Sequence, residues 1–391
     1  MPSAQTSQHS EHSLYIGTMS GTSADGLDIV IANIKDVNTI ELVHSYFAEY
    51  PATLSNEIKH LQTLDSHTLL NSEKRTLEKL DQALVDFYAQ HIQNCLIQTG
   101  IHQNSICAIG NHGQTILHQP EASTPFSLQI CEPQQLSQLC QIPVIADFRS
   151  ADIQQKGQGA PLMPAFHAAI FSSHAPCAVV NIGGISNTTL LKGNHVLGFD
   201  NGPGNTLMDS WIQQHRQQSY DRDGDWAQSG NINSELLNKL LTAPYFLKTP
   251  PKSTGQDLFN STWLNTQLAG FEHLSSTDIQ TTLCELTAQS IINDIQKHKD
   301  ITKIFICGGG ANNSFLMRRL QKVASDNITV NSFSTLGVDP NWVEALGFAW
   351  LAFCYKHNIT GNLPSVTGAK KAVILGQEFK PKPDQTSLSD A

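Results

Sequence analysis

Short apolar runs separated by turns rich in glycine, serine and asparagine alternate along the chain with longer stretches of helical spacing. Leu14-Tyr15-Ile16, Leu27 to Asn33 and Glu41 to Phe47 predict three strands, the first two joined by a small, hydroxyl-rich turn from Gly17 to Gly26. Residues from about 54 to 98 predict helix, with Leu77, Leu80, Leu84, Phe87, His91 and Cys95 on one face; His91 there reads as a packed histidine. Ile106 to Ile109 predicts a short strand running into a polar loop, Gly110 to Thr115. Pro143 to Ala146 predicts another strand, ending at Asp147 and Arg149. Cys177 to Ile182 is a strong strand, followed by a second donor-rich turn, Gly183 to Asn187, and a return strand, Thr188 to Leu191. A helix begins near Leu207, Met208, Trp211 and Ile212. A second, marked by Leu283, Leu286, Ile291 and Ile295, is capped near Ser276. Ile304 to Cys307 predicts a buried strand leading through three glycines to a helix from Ser314 to Val323. Trp342 to Leu351 is an apolar helix carrying one acid, Glu344.

Strand, donor-rich turn, strand thus occurs twice, once near residue 14 and once near residue 177, which suggests an internal duplication. The alternation of strands and helices makes the chain α/β. The glycines between Lys156 and Pro161 permit a hinge. The expected domains are 13–160, completed by 356–380, and 161–355, with disordered tails at 1–12 and 381–391.

Length and charge narrow the reading. A chain of 391 residues with 40% hydrophobic and 15% charged residues can fill two cores. The net charge of −10 argues against a general nucleic-acid binder. No apolar run is long enough to span a membrane, so no membrane partner is expected. The eight cysteines form no C-x-x-C pair and read as reduced core residues of a cytoplasmic protein.

The candidate chemistry centres on Gly198 to Asp209. Pro203 between Gly202 and Gly204 predicts a tight turn that holds Asp200 just ahead of a helix and leaves backbone N–H groups facing a ligand. A carboxylate held there could act as a general base beside a phosphate, or could simply cap the helix entry. The turns near Gly21 and Gly183 offer converging donors for phosphate oxygens. Gly308, Gly309 and Gly310 would let a flat group such as adenosine lie against the backbone. Asp147, Arg149 and Asp152 could fix a hydroxylated or anionic substrate or form a structural salt bridge. Lys252 could touch phosphate or sit in a solvated loop. There is no Walker A loop and no strand–G-x-G-x-x-G–helix unit.

The ordered series M-S-G-T-S-x-D-G, H-G-Q-T, A-D-F-R, G-Q-G-A-P-L, N-I-G-G-x-S-N, F-D-x-G-P-G-N, G-G-G-A-x-N and E-A-x-G-F-A-W, running from about Ile16 to Gly376, closely resembles the anhydro-N-acetylmuramic acid kinases. The resemblance implies two ribonuclease-H-like domains of the sugar kinase, Hsp70 and actin superfamily with a nucleotide cleft between them. It implies ATP-dependent phosphorylation of 1,6-anhydro-N-acetylmuramic acid with hydrolytic opening of the anhydro ring, giving N-acetylmuramic acid 6-phosphate in murein recycling. By the same resemblance Asp200 is the general base and Glu344 assists. Gly21, Thr22, Ser23, Ala24, Asp25, Gly26, Leu27 and Asp28 form the ATP-binding segment. Gly183, Gly184, Gly202, Gly204 and Asn205 are further ATP contacts, and Gly308 to Gly310 face the adenosine. His112, Gln114, Thr115, Asp147 and Arg149 are the expected sugar contacts. Magnesium (Mg2+) is expected with ATP, its side-chain ligands left open, and a homodimer is expected. Asn111 and Ala24 depart from the family pattern, where a serine and a larger apolar residue are usual. The competing readings are a kinase of another amino sugar, an ATP-driven switch of the same superfamily, and a glycosidase using Asp200 and Glu344 as paired carboxylates.

Overall fold

The computed structural model describes residues 13–382 apart from 121, 123–124, 194 and 251. The expected disordered tails, 1–12 and all but the first two residues of 381–391, lie outside the described residues. The chain divides into two compact units, one of residues 1–166 and 344–391 and one of residues 167–343.

In the first unit the strands are β1 (Leu14–Ser20), β2 (Gly26–Asp36), β3 (Thr39–Glu49), β4 (Ile106–Gln119), β5 (Phe126–Ile130) and β6 (Val144–Ala146). The second unit contains β7 (Cys177–Ile182), β8 (Ile185–Lys192), β9 (His195–Pro203), β10 (Lys303–Cys307) and β11 (Thr329–Ser332); β12 (Gln377–Phe379) returns to the first. The first sheet runs β12-β6-β4-β1-β2-β3, with β5 paired to β4; the second runs β11-β10-β7-β8-β9. In each, three antiparallel strands form a meander, and the first of them pairs in parallel with a later strand that pairs in parallel with a last. The duplication is therefore one of topology: β1, β2, β3, β4 and β6 correspond to β7, β8, β9, β10 and β11. This is the ribonuclease-H-like order.

Side-chain patterning explains the roles of the strands. β2 is buried along most of its length, as a central strand covered on both faces must be. β3, at the sheet edge, alternates exposed with partly buried residues over its first half. The helix Ser276–Ile295 is buried on nearly every side and forms the centre of the second core. Its cap is Ser275, whose hydroxyl accepts from the Asp278 N–H.

The elements depart from the sequence reading in several places. β1 extends to Ser20, so the first turn shortens to residues 21–25, and β8 begins at Ile185, so the second shortens to Gly183-Gly184. The expected polar loop 110–115 is the middle of the fourteen-residue β4, whose neighbours β1, β5 and β6 pair its backbone. The 54–98 region is three helices, Ala52–Gln62, Ser66–Leu70 and Lys74–Thr99. The domain boundaries fall at 166/167 and 343/344, where the sequence suggested 160/161 and 355/356. The helix Val343–Lys356 thus belongs almost wholly to the first unit. Gly17 and Gly110 let it lie directly on the sheet, because a Cβ on either would collide with the backbone of Ala345 or Phe348.

Candidate active site

In the second unit the parallel strands β7 and β10 deliver Gly183-Gly184 and Gly308 to the same end of the sheet, the end at which α/β sheets bind ligands. The glycines pack closely there. A Cβ on Gly308 would meet Asn181 and Ile182, one on Gly310 would meet Ile182, and one on Gly204 would meet the carbonyl of Gly183. The Gly204 and Asn205 N–H groups were expected to face a ligand. They donate instead to the carbonyls of Gly184 and Gly183, each at 2.8 Å, and Thr206 N–H donates to Gly184 at 3.1 Å. The two turns are clasped together, and Asn205 adds a side-chain bond to the Ile182 carbonyl at 3.3 Å.

Asp200 does not precede a helix directly. It lies inside β9, six residues before the helix Thr206–Arg216. The pairing of β8 with β9 slips here: Asn187 opposes Asp200 while Ser186 opposes Gly202, leaving Asn201 as an extra residue. Such a bulge bends the strand and re-aims its side chains. Gly202 carries φ of +148° at the bulge, and a Cβ there would come within 2.7 Å of the Phe246 ring. The Asp200 carboxylate accepts the Thr254 N–H at 2.9 Å. Its backbone N–H donates to the Lys252 carbonyl at 2.9 Å, and its carbonyl accepts the Tyr245 hydroxyl at 2.8 Å. Burial pushes the Asp200 carboxyl up to about 6, against the pull of the Thr254 N–H and the Lys252 charge. Lys252 is no solvated loop residue. It is 7% exposed, with its Nζ 2.8 Å from Asp294 Oδ2.

In the first unit, the turn after β1 exposes Thr22, Ser23 and Asp25, whereas Leu27 is wholly buried in the core. Gly26 is required by the close approach of β3, since a Cβ would strike the Ala48 carbonyl. Ala24 is buried with φ of +53° and donates its N–H to the Gly21 carbonyl at 3.2 Å. Asp28 is held up at about 7 by burial first, then by the nearby carboxylates of Glu344 and Asp25. Burial also raises Glu344, opposed by the Arg149 charge. Arg149 is lowered to about 10 by burial, partly offset by Glu344. It donates from Nη1 to the Gly159 carbonyl and from Nη2 to His112 Nε2, both at 2.8 Å. A guanidinium can only donate, so His112 Nε2 accepts and the ring is neutral with its proton on Nδ1. Burial and the Arg149 charge hold His112 down at about 3. Among the described residues, His112 Nδ1 and Arg149 Nε are buried without a hydrogen-bond partner.

The structure therefore brings His112, Arg149, Glu344 and Asp28 together within the first unit. Gln114, Asp147 and Thr115, the other expected sugar contacts, each make hydrogen bonds within the protein. Gln114 is fully buried, accepting from Ser20 at 2.6 Å and donating to the Gly21 carbonyl at 3.2 Å, so it braces the turn. Asp147 accepts the Ser150 N–H at 3.3 Å and the Gln377 side chain at 3.2 Å. Thr115 accepts from Gln129 and, through its carbonyl, from Gln62. Asn111 bonds Thr18 at 2.9 Å and Gly113 N–H at 3.1 Å. Nothing in the local sequence pattern around Lys252 or Asp294 points to the other.

A family model, anhydro-N-acetylmuramic acid kinase, matches residues 13–381. The anhydro-N-acetylmuramic acid kinase of Shewanella amazonensis is 47% identical over 370 residues, covering 94% of this chain and 98% of that protein. That of Shewanella denitrificans is 46% identical over 371 residues, covering 94% and 98%. Among solved structures, the activator of the 2-hydroxyisocaproyl-CoA dehydratase from Clostridium difficile with bound ADPNP has a TM-score of 0.44 at 13% identity, over 87% of this chain and 94% of that one. With a full-length family match and relatives this similar end to end, the chain belongs to the anhydro-N-acetylmuramic acid kinase family and is a kinase.

Proposed function

We propose that the protein uses ATP to phosphorylate 1,6-anhydro-N-acetylmuramic acid and opens the anhydro ring with water in the same reaction. Asp200 takes a proton from water as that water attacks C1. The C1–O6 bond breaks, and O6 receives the γ-phosphoryl group, giving N-acetylmuramic acid 6-phosphate and ADP. The observation that carries this reading is the Asp200 carboxyl, fixed by the Thr254 N–H at 2.9 Å on a bulged strand and tuned to about 6. A base with that value is ionised at neutral pH yet still basic enough to accept a proton.

Other residues take supporting roles in this reading. Arg149 and His112 offer buried donors to the sugar, and Glu344 assists at the reacting centre. The ATP contacts of this reading are Gly21 to Gly26 and Asp28 in the first unit, without the core residue Leu27, and in the second unit Gly183, Gly184, Gly202, Gly204 and Asn205 for phosphate and Gly308 to Gly310 for the adenosine. Among the described residues no group of three or more His, Cys, Asp or Glu side chains is placed to hold a metal. Mg2+ bound with ATP would be held by phosphate oxygens, waters and few side chains. None of the eight cysteines, all of them among the described residues, is in a disulfide, in keeping with the cytoplasmic setting of this reading. No helix among the described residues is long and apolar enough to cross a membrane. We also assign a homodimer, which sedimentation velocity tests.

Mass analysis of the product formed from anhydro-sugar, ATP and Mg2+ in 18O-labelled water tests the reaction. The expected product carries one phosphate and one 18O at C1. Phosphorylation without 18O would point to an ordinary hydroxyl kinase, and ring opening without ATP would point to a glycosidase.

A further inference from the structure

The surroundings of Asp200 contain one cation whose side chain the kinase reading leaves without a task. Lys252 sits 7% exposed in the loop that clamps β9, its carbonyl on the Asp200 N–H and its neighbour Thr254 on the Asp200 carboxylate. Its Nζ lies 2.8 Å from Asp294 Oδ2 but makes no well-aligned hydrogen bond among the described residues, so charge holds it there. Asp294, 3% exposed on the helix Ser276–Ile295, is anchored from two further sides: Lys297 Nζ reaches Oδ1 at 2.8 Å, and the Asn201 amide approaches Oδ2 at 3.5 Å. Asn201 is the bulged residue next to Asp200 and accepts from Thr188 at 2.7 Å. Lys252 Nζ also lies 5.0 Å from the centre of the Tyr245 ring, and the Tyr245 hydroxyl donates to the Asp200 carbonyl.

A buried lysine is costly unless something holds its charge in place. Here a helix, a loop and the bulge converge on the ammonium of the residue whose own carbonyl holds the Asp200 N–H. We propose that Lys252, seated on Asp294, is a positioning residue that keeps Asp200 ionised and fixes its direction. The proposal rests on the reading of Asp200 as the base. The titratable groups facing Asp200 from neighbouring elements are Lys252 from the loop and Tyr245 from the turn Pro244–Leu247, with Asp294 and Lys297 behind Lys252. Of these only Lys252 supplies nearby positive charge that is not already held at the surface, because Lys297 is half-exposed.

A lysine charge lowers the pKa of a neighbouring carboxylate, so removing it must raise that of Asp200. The test is the pH profile of kcat/KM for the anhydro-sugar at saturating ATP and Mg2+. In the wild type the acid limb should fall near 6. In Lys252→Met it should move upward by about one pH unit, an approximately tenfold loss at pH 5.5 that recovers above pH 8. Lys252→Arg should return the limb towards its wild-type position. Lys252→Met leaves Asp294 with Lys297 and Asn201, so the fold should persist, and melting curves check this. If Lys252→Met does not fold, Lys252→Gln carries the same test with a polar side chain.

An unmoved limb in a folded, uncharged variant overturns the proposal. So does a rise in KM for ATP alone, which would make Lys252 a phosphate contact. Asp200→Asn separates the two layers. A large loss there with an unmoved limb in the Lys252 variants sinks only the role of Lys252, whereas near-normal activity in Asp200→Asn removes the base itself.

Discussion

The two sheets share one strand order, yet each treats a partly buried acid differently. Asp28, at the start of β2, is crowded by the carboxylates of Glu344 and Asp25 and pushed up to about 7. Asp200, on β9, is partly buried too, and burial raises it only to about 6 because the Thr254 N–H and the Lys252 charge oppose the rise. At pH 7 the first acid is therefore about half protonated and the second mostly ionised. The turns differ in the same spirit. The turn after β1 is open and leaves Thr22, Ser23 and Asp25 exposed, while Gly183-Gly184 is locked by three N–H bonds from residues 204–206. A repeated topology thus supplies two scaffolds, and the chemistry is set by what the connecting loops and helices place against each one.

The largest expected effect breaks the comparison at its acids. Asp200→Asn keeps the shape but cannot accept a proton, so turnover should fall roughly 10²–10⁴-fold, the usual span for a lost general base. Calorimetry should find sugar and nucleotide binding near wild type, since Gly202 to Gly204 still shape the strand end. Near-normal turnover would leave Asp200 as a purely structural group.

A smaller effect tests the clasped turn. Gly204→Ala puts a methyl against the Gly183 carbonyl, a backbone atom that cannot swing aside. It should destabilise the fold by about 1–3 kcal/mol, the usual range for overpacking, measured by urea unfolding. A wild-type midpoint would mean the clasp yields easily.

Asp28 gives a pH signature in stability. Its folded value of about 7 lies above its ordinary value of 3.8, so the folded chain holds the extra proton between the two. The stability it contributes is complete below 3.8 and is lost as pH rises through about 7. Melting temperature should therefore decline over that window, and Asp28→Asn, which stays neutral, should decline less. Parallel curves for variant and wild type would contradict the crowding of Asp28 by Glu344.

The smallest effect sharpens the contrast between turns. A Cβ on Gly21 would meet nothing nearer than Ser23 Oγ at 3.6 Å, so Gly21→Ala should change stability by no more than about 0.5 kcal/mol. Any large rise in KM for ATP in that variant would then report a nucleotide contact and not a folding defect.

Short-range patterning made much of this legible in the sequence. The helix Ser314–Val323 appears at the residues expected, because Asn313 caps it locally by accepting the Leu316 N–H at 2.9 Å. β7 and β10 follow from continuous apolar runs, and the family from motifs whose order along the chain is itself information. Polar stretches misled where a strand was needed. Residues 110–115 look like a loop, yet pairing with β1, β5 and β6 satisfies their backbone, and the buried side chains of Asn111 and Gln114 bond across strands.

What only the tertiary structure decided is which polar groups meet. Arg149 reaches His112 across 37 residues, and Asp152 accepts from Thr367 across 215. Lys252 finds Asp294 on a helix whose sequence period speaks only of its apolar residues. Periodicity and capping are properties of a few neighbouring residues, so a sequence carries them openly. The ionisation of Asp200 depends on burial and on charges brought near by chain closure, and those exist only once the sheets have formed.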